Sequence, residues 1–560
     1  MVTSPRFSII TPVYNPPHDA FEKCIESVYA QEFSDWQWCL VDDKSTDPYV
    51  ATRLKQLQVS DSRVVVYFRS ENGGIIEASN DALSLATGEF VVLLDNDDEL
   101  HAEALTAVAD EIAKNSFVDY IYTDEDKITV DGEHYDEFKK PKWSPERLLA
   151  HNYCSHLSVI RRDLVNKVGR FRKGFEGSQD YDLILRVTEK TSQISHIPKV
   201  LYHWRSVPGS VSIAAKEKPY AFVSAKKAVT EHLQRNNVDA KVDEVEPYSL
   251  IRVSRDLKNL PKISIVIPTC GTRKPLFGVD TSLVINAVES IERKTSYQNF
   301  EIIVVVDTST PEEVCNELKR VSPSRLKVIE YDKPFNFSDK CNLGVVNSDA
   351  PFFVLLNDDT EVISHDWLET MLSYLQEPDV AMVGPMLLLE DGRIQSAGHS
   401  HTPHPHNFYN GRSSNELGEL GILKVARECS GVTGACVMVR RNAYFEVGGL
   451  SNTFPLSFND VDLSFKFLDR GYRIIWTPFA RLFHFETASR PNISTPEELE
   501  RITNRWVTEF IPTNIVEFNK HFVGGGGLEP PRSCEHWHLK PARLPFRHSP
   551  EWTIDANSYV

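Results

Sequence analysis

The sequence predicts two tandem α/β domains, each built on a mostly parallel sheet, and three observations point to this fold class. The chain has 560 residues, which exceeds the size of one ordinary domain. Short β-rich apolar runs alternate with helical patterns, which is the order expected of βαβ units. The same series of strands and acidic residues also occurs twice, and such a repeat is hard to obtain by chance.

The first strand of each half is an apolar run that a proline stops, at residues 7–12 and 263–268. A run of this kind is typical of a buried parallel strand that reaches a loop. A helical pattern follows in each half, at residues 20–31 and 284–294. The two repeats therefore begin in the same way.

The second and third strands of each half are followed by acidic residues. The second strand ends in Asp42-Asp43 in the first half and in Asp307 in the second half. The third strand, at residues 90–94 and 352–356, runs directly into Asp95-Asn96-Asp97-Asp98 and Asn357-Asp358-Asp359-Thr360. Because parallel strands bring their C-terminal ends to one edge of the sheet, we expect Asp42, Asp43, Asp95 and Asp97 to share a crevice.

The domain boundary is expected near Arg255. Before it, residues 218–236 read as a helix, and residues 240–245 and 248–253 read as short strands. We therefore predict domains at residues 1–255 and 256–490. Residues 491–560 are predicted to hold one helix, at 495–510, followed by a glycine linker at 524–527 and an irregular tail.

Composition favours a small substrate in a reducing compartment. The formal net charge of −18 argues against general affinity for nucleic acid or anionic lipid. The nine cysteines show no paired spacing and are expected to be free thiols. The sequence shows neither a signal peptide nor an apolar run of the roughly 18 residues that a membrane span needs. We expect a cytoplasmic protein, at most peripheral at the cytoplasmic face of the membrane.

The acids after the third strand suit a metal that binds a nucleoside diphosphate sugar. A hard divalent cation bridges the phosphates and prefers carboxylate oxygens on a stiff element, with positions left open for phosphate. Asp95 and Asp97, one residue apart at a strand end, meet that need. The alternative is an acidic turn solvated at the surface, which the repeated context disfavours.

These residues resemble the motif series of family 2 glycosyltransferases with the GT-A fold. The first half carries it in residues 11–15, 41–43, 94–98 and 177–180. The second half carries it in residues 267–269, 307, 356–359, 431–435, 458–462 and 476–484. This repeat resembles a tandem-domain subgroup that builds O-antigens and other bacterial surface polysaccharides, over roughly residues 6–490.

The resemblance implies a metal-dependent inverting transferase that uses a UDP- or dTDP-sugar and a growing glycan as acceptor, with a lipid-linked acceptor at the inner membrane as one form. It implies that Asp42 and Asp307 contact the nucleotide base. Asp97 and Asp359 would ligate Mg²⁺ or Mn²⁺, with His203 and His484 as further metal or diphosphate contacts. The remaining residues predicted to bind the nucleotide sugar are Thr11, Pro12, Tyr14, Asp43, Asn72, Asn80, Asp95, Asp124, Asp126, Thr269, Lys340, Asn342, Asn357, Asp358 and Gly434.

By the same resemblance, Asp180 and Asp460 are the general bases, each on a loop before a helix (residues 181–189 and 461–470). The chemistry needs such a group, because the acceptor hydroxyl must lose its proton as it attacks the anomeric carbon. The alternative for each aspartate is a helix N-cap. For His203, the alternative is a half-buried strand histidine whose ring is satisfied by the backbone.

Two other segments leave their role open. Residues 122–127, Tyr-Thr-Asp-Glu-Asp-Lys, follow a predicted strand and either face the donor sugar or form a charged hairpin entry. His399, His401, His404 and His406 are interrupted by prolines. We expect these histidines to form an irregular loop on the acceptor side rather than a transition-metal site.

Competing functions differ in what the sequence should contain. A bifunctional transferase with one active site per domain is the leading interpretation. The alternative keeps catalysis in one domain and makes the other a glycan-binding or structural module, because Asn357 replaces the first acid of the second metal motif. A nucleotidyltransferase would need a basic, glycine-rich phosphate loop, and residues 11–20 contain no lysine or arginine. A purely structural protein is the least favoured, because it gives no reason for the repeated acids.

Overall fold

The computed structural model of the protein describes residues 4–206, 219–401, 405–485 and 496–506. They form two compact units. The first unit contains the described residues of Met1–Lys258 together with Ser414–Glu428 and Ile475–Phe479. The second contains Asn259–Ser413, Cys429–Ile474 and the described residues from Ala480 onwards.

The first unit is an α/β fold with parallel strands at its centre. Its strands are β1 (Phe7–Val13), β2 (Trp36–Asp42), β3 (Val64–Phe68), β4 (Phe90–Leu93), β5 (Glu99–Leu100), β6 (Tyr120–Ile128), β7 (His134–Phe138), β8 (Ser158–Arg161), β9 (Ile194–Arg205), β10 (Ala240–Val245) and β11 (Leu250–Arg255). Its helices are α1 (His18–Tyr29), α2 (Pro48–Ser60), α3 (Gly74–Leu85), α4 (Ala104–Lys114), α5 (Pro145–Leu148), α6 (Arg162–Lys167), α7 (Gln179–Thr188) and α8 (Pro219–Arg235).

The second unit repeats this order. Its strands are β12 (Ile263–Thr269), β13 (Arg273–Leu276), β14 (Val279–Ser282), β15 (Phe300–Asp307), β16 (Leu326–Tyr331), β17 (Phe352–Leu356), β18 (Thr360–Val362), β19 (Val380–Leu388), β20 (Ile394–Ser396), β21 (His399–Ser400), β22 (His406–Asn407), β24 (Cys436–Arg440) and β25 (Arg473–His484); β23 (Arg427–Glu428) and the middle of β25 belong to the first unit. Its helices are α9 (Leu283–Lys294), α10 (Glu312–Val321), α11 (Phe337–Val346), α12 (Trp367–Tyr374), α13 (Arg441–Glu446), α14 (Asn459–Asp469) and α15 (Pro496–Trp506).

The two main sheets share one topology, which confirms the predicted repeat and fold class. The first has the strand order β3-β2-β1-β4-β8-β6-β9-β5, and the second has β16-β15-β12-β17-β24-β19-β25-β18. The β1 strand pairs in parallel with β2 and β4, and β12 pairs in parallel with β15 and β17. The C-terminal ends of these central strands therefore lie at one edge in each unit.

Apolar side chains from both faces of the first sheet form its core. On one face, α3 and α7 pack with Ile10 and Cys39, which are fully or almost fully buried. On the other face, α1 and α4 pack against Phe7 and Trp38. The sheet is covered on both sides, so its central strands are mostly apolar rather than alternating, and the polar residues Ser8 and Thr11 of β1 are buried as well.

The helices predicted between residues 20 and 470 lie where the sequence pattern put them, with ends shifted by at most two residues. The helix predicted at 181–189 begins instead at Gln179, and that predicted at 461–470 begins at Asn459. The helix predicted at 495–510 is described as Pro496–Trp506, and the glycine linker and tail lie outside the described residues. In the described parts of the chain, no helix combines the length and apolar character needed to cross a bilayer.

The last helices of the first unit are held together by Glu189, at the C-terminal end of α7. Its carboxylate, 5% exposed, pairs with His232 (2.8 Å) and Arg235 (2.7 Å) of α8. Burial opposes the charge, but the hydrogen bonds from these two partners outweigh it and lower the pKa of Glu189 to about 2. The folded-state pKa lies below the ordinary value of about 4.3, so this stabilisation is present above that pH and is lost as pH falls toward 2.

We therefore expect Glu189→Gln to lower the free energy of unfolding by about 2 kcal/mol at pH 7, because it removes charged hydrogen bonds between two helices. The loss should shrink as pH falls from about 4 toward 2, since the wild-type carboxylate is then protonated too. Urea unfolding at pH 7 and pH 3 measures both effects. The control is Glu244→Gln, at an exposed acid in β10. Equal losses at the two pH values would contradict the assignment.

Candidate functional site

The strand-end acids of the first unit lie at the predicted edge of the sheet. Asp42 and Asp43 differ in the hydrogen bonds that they make there. Asp42 ends β2, is buried, and accepts a hydrogen bond from the backbone N–H of Ser45 (2.9 Å). Asp43 accepts from the N–H groups of Gly73 (2.8 Å) and Gly74 (2.7 Å), and it pairs with Arg69. The Asp43 carboxylate is therefore used to hold the N-terminus of α3 against the end of β2.

Several other predicted nucleotide-sugar residues also serve the fold. The Asn72 side chain donates to the backbone oxygen of Asp43 (3.0 Å), and the Thr11 hydroxyl, fully buried, accepts from the indole of Trp38 (3.0 Å). Asn80 exchanges hydrogen bonds with the backbone of Phe171. We leave Asp43, Asn72, Thr11 and Asn80 out of the proposed nucleotide-sugar contacts.

Asn342 repeats the role of Asn80 in the second unit. Its amide donates to the backbone oxygen of Leu450 (2.9 Å), and its oxygen accepts from the Tyr444 hydroxyl (2.6 Å) and from the N–H of Leu450 (3.2 Å). Asn80 and Asn342 lie within α3 and α11. Each ties its helix to the segment that precedes α7 or α14, so a contact within the fold accounts for the repeated asparagine.

Pro12 lies near the C-terminal end of β1, and Tyr14 follows that strand. Pro12 offers its backbone oxygen to the Asn96 side chain (2.8 Å), which links the first strand to the metal motif. Tyr14 is 49% exposed. A ring at this edge, beside Asp42, is placed to stack on a flat ligand such as a nucleobase.

The metal motif of the first unit groups differently from the prediction. Ligand-type atoms of Asp95, Asp98 and His156 lie within 4.8 Å of one another. Asp98 is also held by the Tyr202 hydroxyl (2.5 Å) and the N–H of Arg205 (2.7 Å). The predicted pairing of Asp97 with His203 is not among the groups of converging ligand atoms in the described residues.

Charge is concentrated at this cluster. Burial raises the pKa values of Asp95 and Asp98, and burial with the charge of Asp95 raises the pKa of Asp97 to about 6. Burial disfavours the charged ring of His156, but Glu125, 3.4 Å away, outweighs it, and with Asp98 and Asp95 raises the pKa of His156 to about 9. The imidazolium therefore offsets part of the carboxylate charge at neutral pH.

His203 lies half-buried on β9, as in its alternative interpretation, but its ring contacts a carboxylate, in a second group with Asp126 and His134. Its Nδ1 is 2.6 Å from one oxygen of Asp126, and Nδ1 of His134 is 2.9 Å from the other. The strand register sets Asp126 beside His203 and sets Glu99, two residues after Asp97, opposite it. A carboxylate on Nδ1 fixes the tautomer of a histidine and leaves Nε2 free to ligate a metal.

The segment at residues 122–127 forms part of β6 itself rather than following a strand. Asp124, Glu125 and Asp126 are buried there, and the strand pairs with β7 in an antiparallel hairpin. Asp124 accepts from the backbone N–H of Lys140 (2.9 Å) and pairs with His196 (2.7 Å). Oδ1 of Asp124 is therefore held by two protein groups.

Asp180 occupies the second position of α7, not a loop before it. The N-cap of that helix is Ser178, so the N-cap alternative for Asp180 is wrong. The Asn152 side chain donates to the Asp180 carboxylate (2.9 Å). Burial raises the pKa of Asp180, against the opposing charge of His156. A carboxylate with a raised pKa that is held by one hydrogen bond suits proton transfer.

The second unit places its sugar-binding candidates around a buried lysine. Nζ of Lys340 donates to Asp307 (2.8 Å) and to the backbone oxygen of Thr269 (2.8 Å). The Thr269 hydroxyl donates to Asp358 (2.7 Å). This network joins the ends of β12, β15 and β17, so Asp358 is directed toward the first strand and away from a metal.

The predicted metal residues of the second unit do come together. His484 is directly across from Thr360 in the strand pairing, and its Nε2 is 3.4 Å from Asp359 and 3.5 Å from the Asn357 side chain. Asn357 Oδ1 and His484 Nδ1 are buried and have no hydrogen-bond partner within the described part of the chain. Buried polar atoms without partners are costly, so a ligand at this position would relieve the cost.

Asp460 lies in the first turn of α14, whose N-cap is Phe458, so here too the N-cap alternative is wrong. One carboxylate oxygen accepts from the N–H of Gly434 (2.9 Å), and the other from the N–H of Val461 (2.9 Å). Asp180 and Asp460 therefore occupy matching places, at the second position of the helix that precedes β9 in the first unit and β25 in the second.

The comparison with known sequences assigns the family. The sequence model of Glycosyl transferase family 2 matches residues 8–169 and 264–448, which together are more than half of the chain. The chain belongs to glycosyl transferase family 2. Each of the two matches covers the strand-end acids of one unit.

Three relatives of this chain match different shares of its sequence. A Sinorhizobium fredii protein, y4gI, is 39% identical over 524 residues, which cover 90% of this chain and 56% of the relative. The O-antigen biosynthesis protein RfbC of Myxococcus xanthus is 32% identical over 498 residues, covering 88% of this chain and 38% of the relative. The chondroitin synthase of Escherichia coli is 30% identical over 200 residues, covering 36% of this chain and 29% of the relative. The chain thus spans about half or less of the length of these relatives.

The two glycosyltransferase units differ beside their metal motifs. Arg161 and Arg440 occupy matching places in the strand pairing, so His156 stands where the second unit has Ala435. The second unit therefore has no imidazole at the place that His156 occupies in the first unit.

Several residues near these clusters were not predicted from the sequence. His156, Glu125 and Lys140 form a buried network, in which Lys140 donates to Glu125 (2.9 Å) and to the backbone oxygen of His156. His399 lies 3.9 Å from Asp460. The sequence offers one indication of His156, which is a histidine just before an apolar strand. A comparison of the two repeats does not reveal it, because the second unit has Ala435 at the matching position. The histidines predicted in an irregular loop lie partly in the β21–β22 pair, and His404 lies outside the described residues.

Proposed function

We propose that each unit transfers a sugar from a UDP- or dTDP-sugar to a hydroxyl of a growing surface glycan, with inversion at the anomeric carbon. The observation that carries the proposal is the repeated placement of an aspartate, Asp180 or Asp460, in the first turn of a helix beside strand-end acids. We also propose domains at residues 1–255 and 256–490, with residues 491–560 as an appendage. The location is proposed to be cytoplasmic, in contact with the inner membrane where the acceptor is lipid-linked.

A divalent metal, Mg²⁺ or Mn²⁺, fits the residues at both strand edges. In the second unit, Asp359, Asn357 and His484 offer oxygen and nitrogen ligands, and Oδ1 of Asn357 is a buried atom without a hydrogen-bond partner among the described residues. In the first unit, Asp95 and Asp98 converge with His156, while Asp97 lies in the turn between β4 and β5 and His203 lies on β9. When bound, such a metal would stabilise the charge of the departing diphosphate.

The residues of the chain supply the remaining steps. Asp42 and Asp307 lie at the tips of the second strands, where they can accept hydrogen bonds from a nucleobase. Asp180 or Asp460 takes the proton of the acceptor hydroxyl as that oxygen attacks the anomeric carbon from the face opposite the diphosphate. Gly434 and Asn152 hold the two carboxylates in place by one hydrogen bond each.

Binding of the sugar donor should raise the thermal stability of the protein in a metal-dependent way. A ligand at 100 times its Kd stabilises the native state by about 2.7 kcal/mol. We expect a shift with Mn²⁺ and one nucleotide class in a panel of UDP-, dTDP- and GDP-sugars. Asp97→Ala and Asp359→Ala should each remove part of this shift, because each removes a metal ligand from one unit.

The matched control is Asp163→Ala, at a carboxylate that is 88% exposed and far along the chain from both motifs. A shift that disappears fully in Asp359→Ala and is unchanged in Asp97→Ala would favour the alternative function, with a single catalytic unit. No metal-dependent shift with any sugar nucleotide would overturn the proposed use of metal in both.

A further inference from the structure

The β21–β22 hairpin brings two buried histidines to the proposed base of the second unit. The N–H of His399 donates to the backbone oxygen of Gly431 (2.7 Å), and β21 pairs with β22 at His399 and Asn407. His399 is 5% exposed and His401 is fully buried. The backbone contacts fix the hairpin against the loop that carries Gly434, so the position of His399 relative to Asp460 is defined by the fold.

The space between the His399 ring and the Asp460 carboxylate can hold one hydrogen-bonding atom that contacts both side chains. Nε2 of His399 lies 3.9 Å from Oδ2 of Asp460, which is too long for a direct hydrogen bond. The same Oδ2 accepts from Gly434, and Oδ1 accepts from Val461. An oxygen atom at about 2.8 Å from both Nε2 and Oδ2 completes a triangle with ordinary hydrogen-bond lengths.

The surroundings keep the His399 ring neutral. Burial lowers the pKa of His399, against the charge of Asp460, and His406 on the paired strand lowers it further. His401 packs on the ring of Phe465, with ring centres 4.6 Å apart, and burial lowers its pKa well below the ordinary value. A neutral imidazole offers one N–H donor and one acceptor nitrogen, so His399 can donate to a hydroxyl while Asp460 accepts from it.

The first unit uses a different partner at the matching place. There the side chain of Asn152 donates to Asp180 directly, at 2.9 Å. An amide does not titrate and already occupies one lone pair of that carboxylate. The two units therefore differ in how an incoming hydroxyl can be held beside the base.

We propose that His399 is a second catalytic residue of the second unit and binds the acceptor hydroxyl together with Asp460. This inference rests on the proposed function of Asp460 as the base. The hydroxyl donates its proton to Oδ2 of Asp460 and accepts a hydrogen bond from Nε2–H of His399. As the new bond from the acceptor oxygen to the anomeric carbon forms, the bond from that carbon to the diphosphate oxygen breaks, and the nucleoside diphosphate leaves with the electron pair.

The proximity of the His399 ring to the Asp460 carboxylate can be tested without any substrate. Ring ¹⁵N NMR of histidine-labelled protein follows each imidazole against pH, and His399→Gln identifies the His399 signal. Asp460→Asn removes a charge that favours the imidazolium, so the His399 titration should move to lower pH. Asp180→Asn, in the other unit, should leave it in place. An unchanged His399 titration in Asp460→Asn would overturn the proposal.

The catalytic role is tested in an Asp180→Asn background, so that the second unit reports alone. Nucleoside diphosphate release is measured from UDP-glucose, UDP-N-acetylglucosamine and dTDP-rhamnose, with methyl rhamnoside and methyl galactoside as acceptors. His399→Ala should lower kcat about 10-fold through loss of one positioning hydrogen bond. His399→Gln should restore most of that loss, because the glutamine side chain also offers an N–H donor.

The outcomes distinguish the role of His399 from the proposed function of the second unit. Equal kcat and an unchanged pH profile in His399→Ala would overturn the role of His399. Unchanged release in Asp460→Asn, or no release in the parent background with any of these donors, would overturn the proposed function of the second unit, whatever the NMR result. A structural role for His399 alone would lower stability in both variants and would leave kcat in His399→Gln as low as in His399→Ala.

Discussion

Asp180→Asn and Asp460→Asn should each reduce transfer by one unit about 10²–10⁴-fold, the usual contribution of a positioned general base. The change keeps the size of the side chain and removes its capacity to take a proton. Both aspartates lie in the first turn of their helix and neither caps it, so the helix should remain intact. Mass analysis of the glycan product measures which addition has stopped.

The two variants also distinguish a bifunctional enzyme from one with a single active unit. If the units add successive sugars, one variant should give no product and the other a product that stops one sugar later. Glu176→Gln and Asp469→Asn, at exposed acids near α7 and at the end of α14, serve as matched controls. Full-length product from either base variant would show that the unit concerned does not depend on that aspartate.

The placement of the strand-end acids was predictable because it follows from local pattern and one topological rule. Apolar runs that end in acid become parallel strands, and parallel strands deliver their ends to one edge. Asp42, Asp307 and Asp359 lie there in the structure. The repeat strengthened the inference, since two halves with the same series must place their acids alike.

The side-chain partners were less predictable because they depend on residues far apart in the chain. His156 faces Asp95 and Asp98 from a segment about 60 residues later, and His399 faces Asp460 about 60 residues earlier. No spacing rule connects such pairs. Repetition was even misleading for Asn80 and Asn342, because a repeated motif can preserve a fold contact as well as a chemical one.

A second aspartate, two residues after each base, anchors the base-bearing helix. Asp182 is fully buried and pairs with Arg186 (2.7 Å) and with Arg172. Asp462, also fully buried, contacts Lys466 (3.1 Å) and the indole of Trp506 (3.0 Å). Each unit therefore stabilises the helix of its base with a buried charge network.

Asp182→Ala should lower the free energy of unfolding of the first unit by about 3–5 kcal/mol, because it leaves the buried guanidinium of Arg186 without its counter-charge. Arg186 is 6% exposed in its side chain and also donates to the backbone oxygens of Val168 and Arg170 (2.6 Å each), so it cannot turn to solvent without breaking those bonds. For a unit of this size the loss corresponds to a fall in Tm of about 10 °C. Calorimetry of the full chain measures it.

The control is again Asp163→Ala, whose carboxylate is 88% exposed and 4.0 Å from Arg162, and which should change Tm very little. The double variant Asp182→Ala with Arg186→Met should recover part of the loss, because it removes the uncompensated charge and leaves an apolar chain of similar length. If Asp182→Ala were as stable as Asp163→Ala, the network would contribute nothing, and the orientation of Asp180 would have to come from the packing of α7 against the sheet alone. Recovery in the double variant without recovery of transfer would instead show that the network also sets the position of the base.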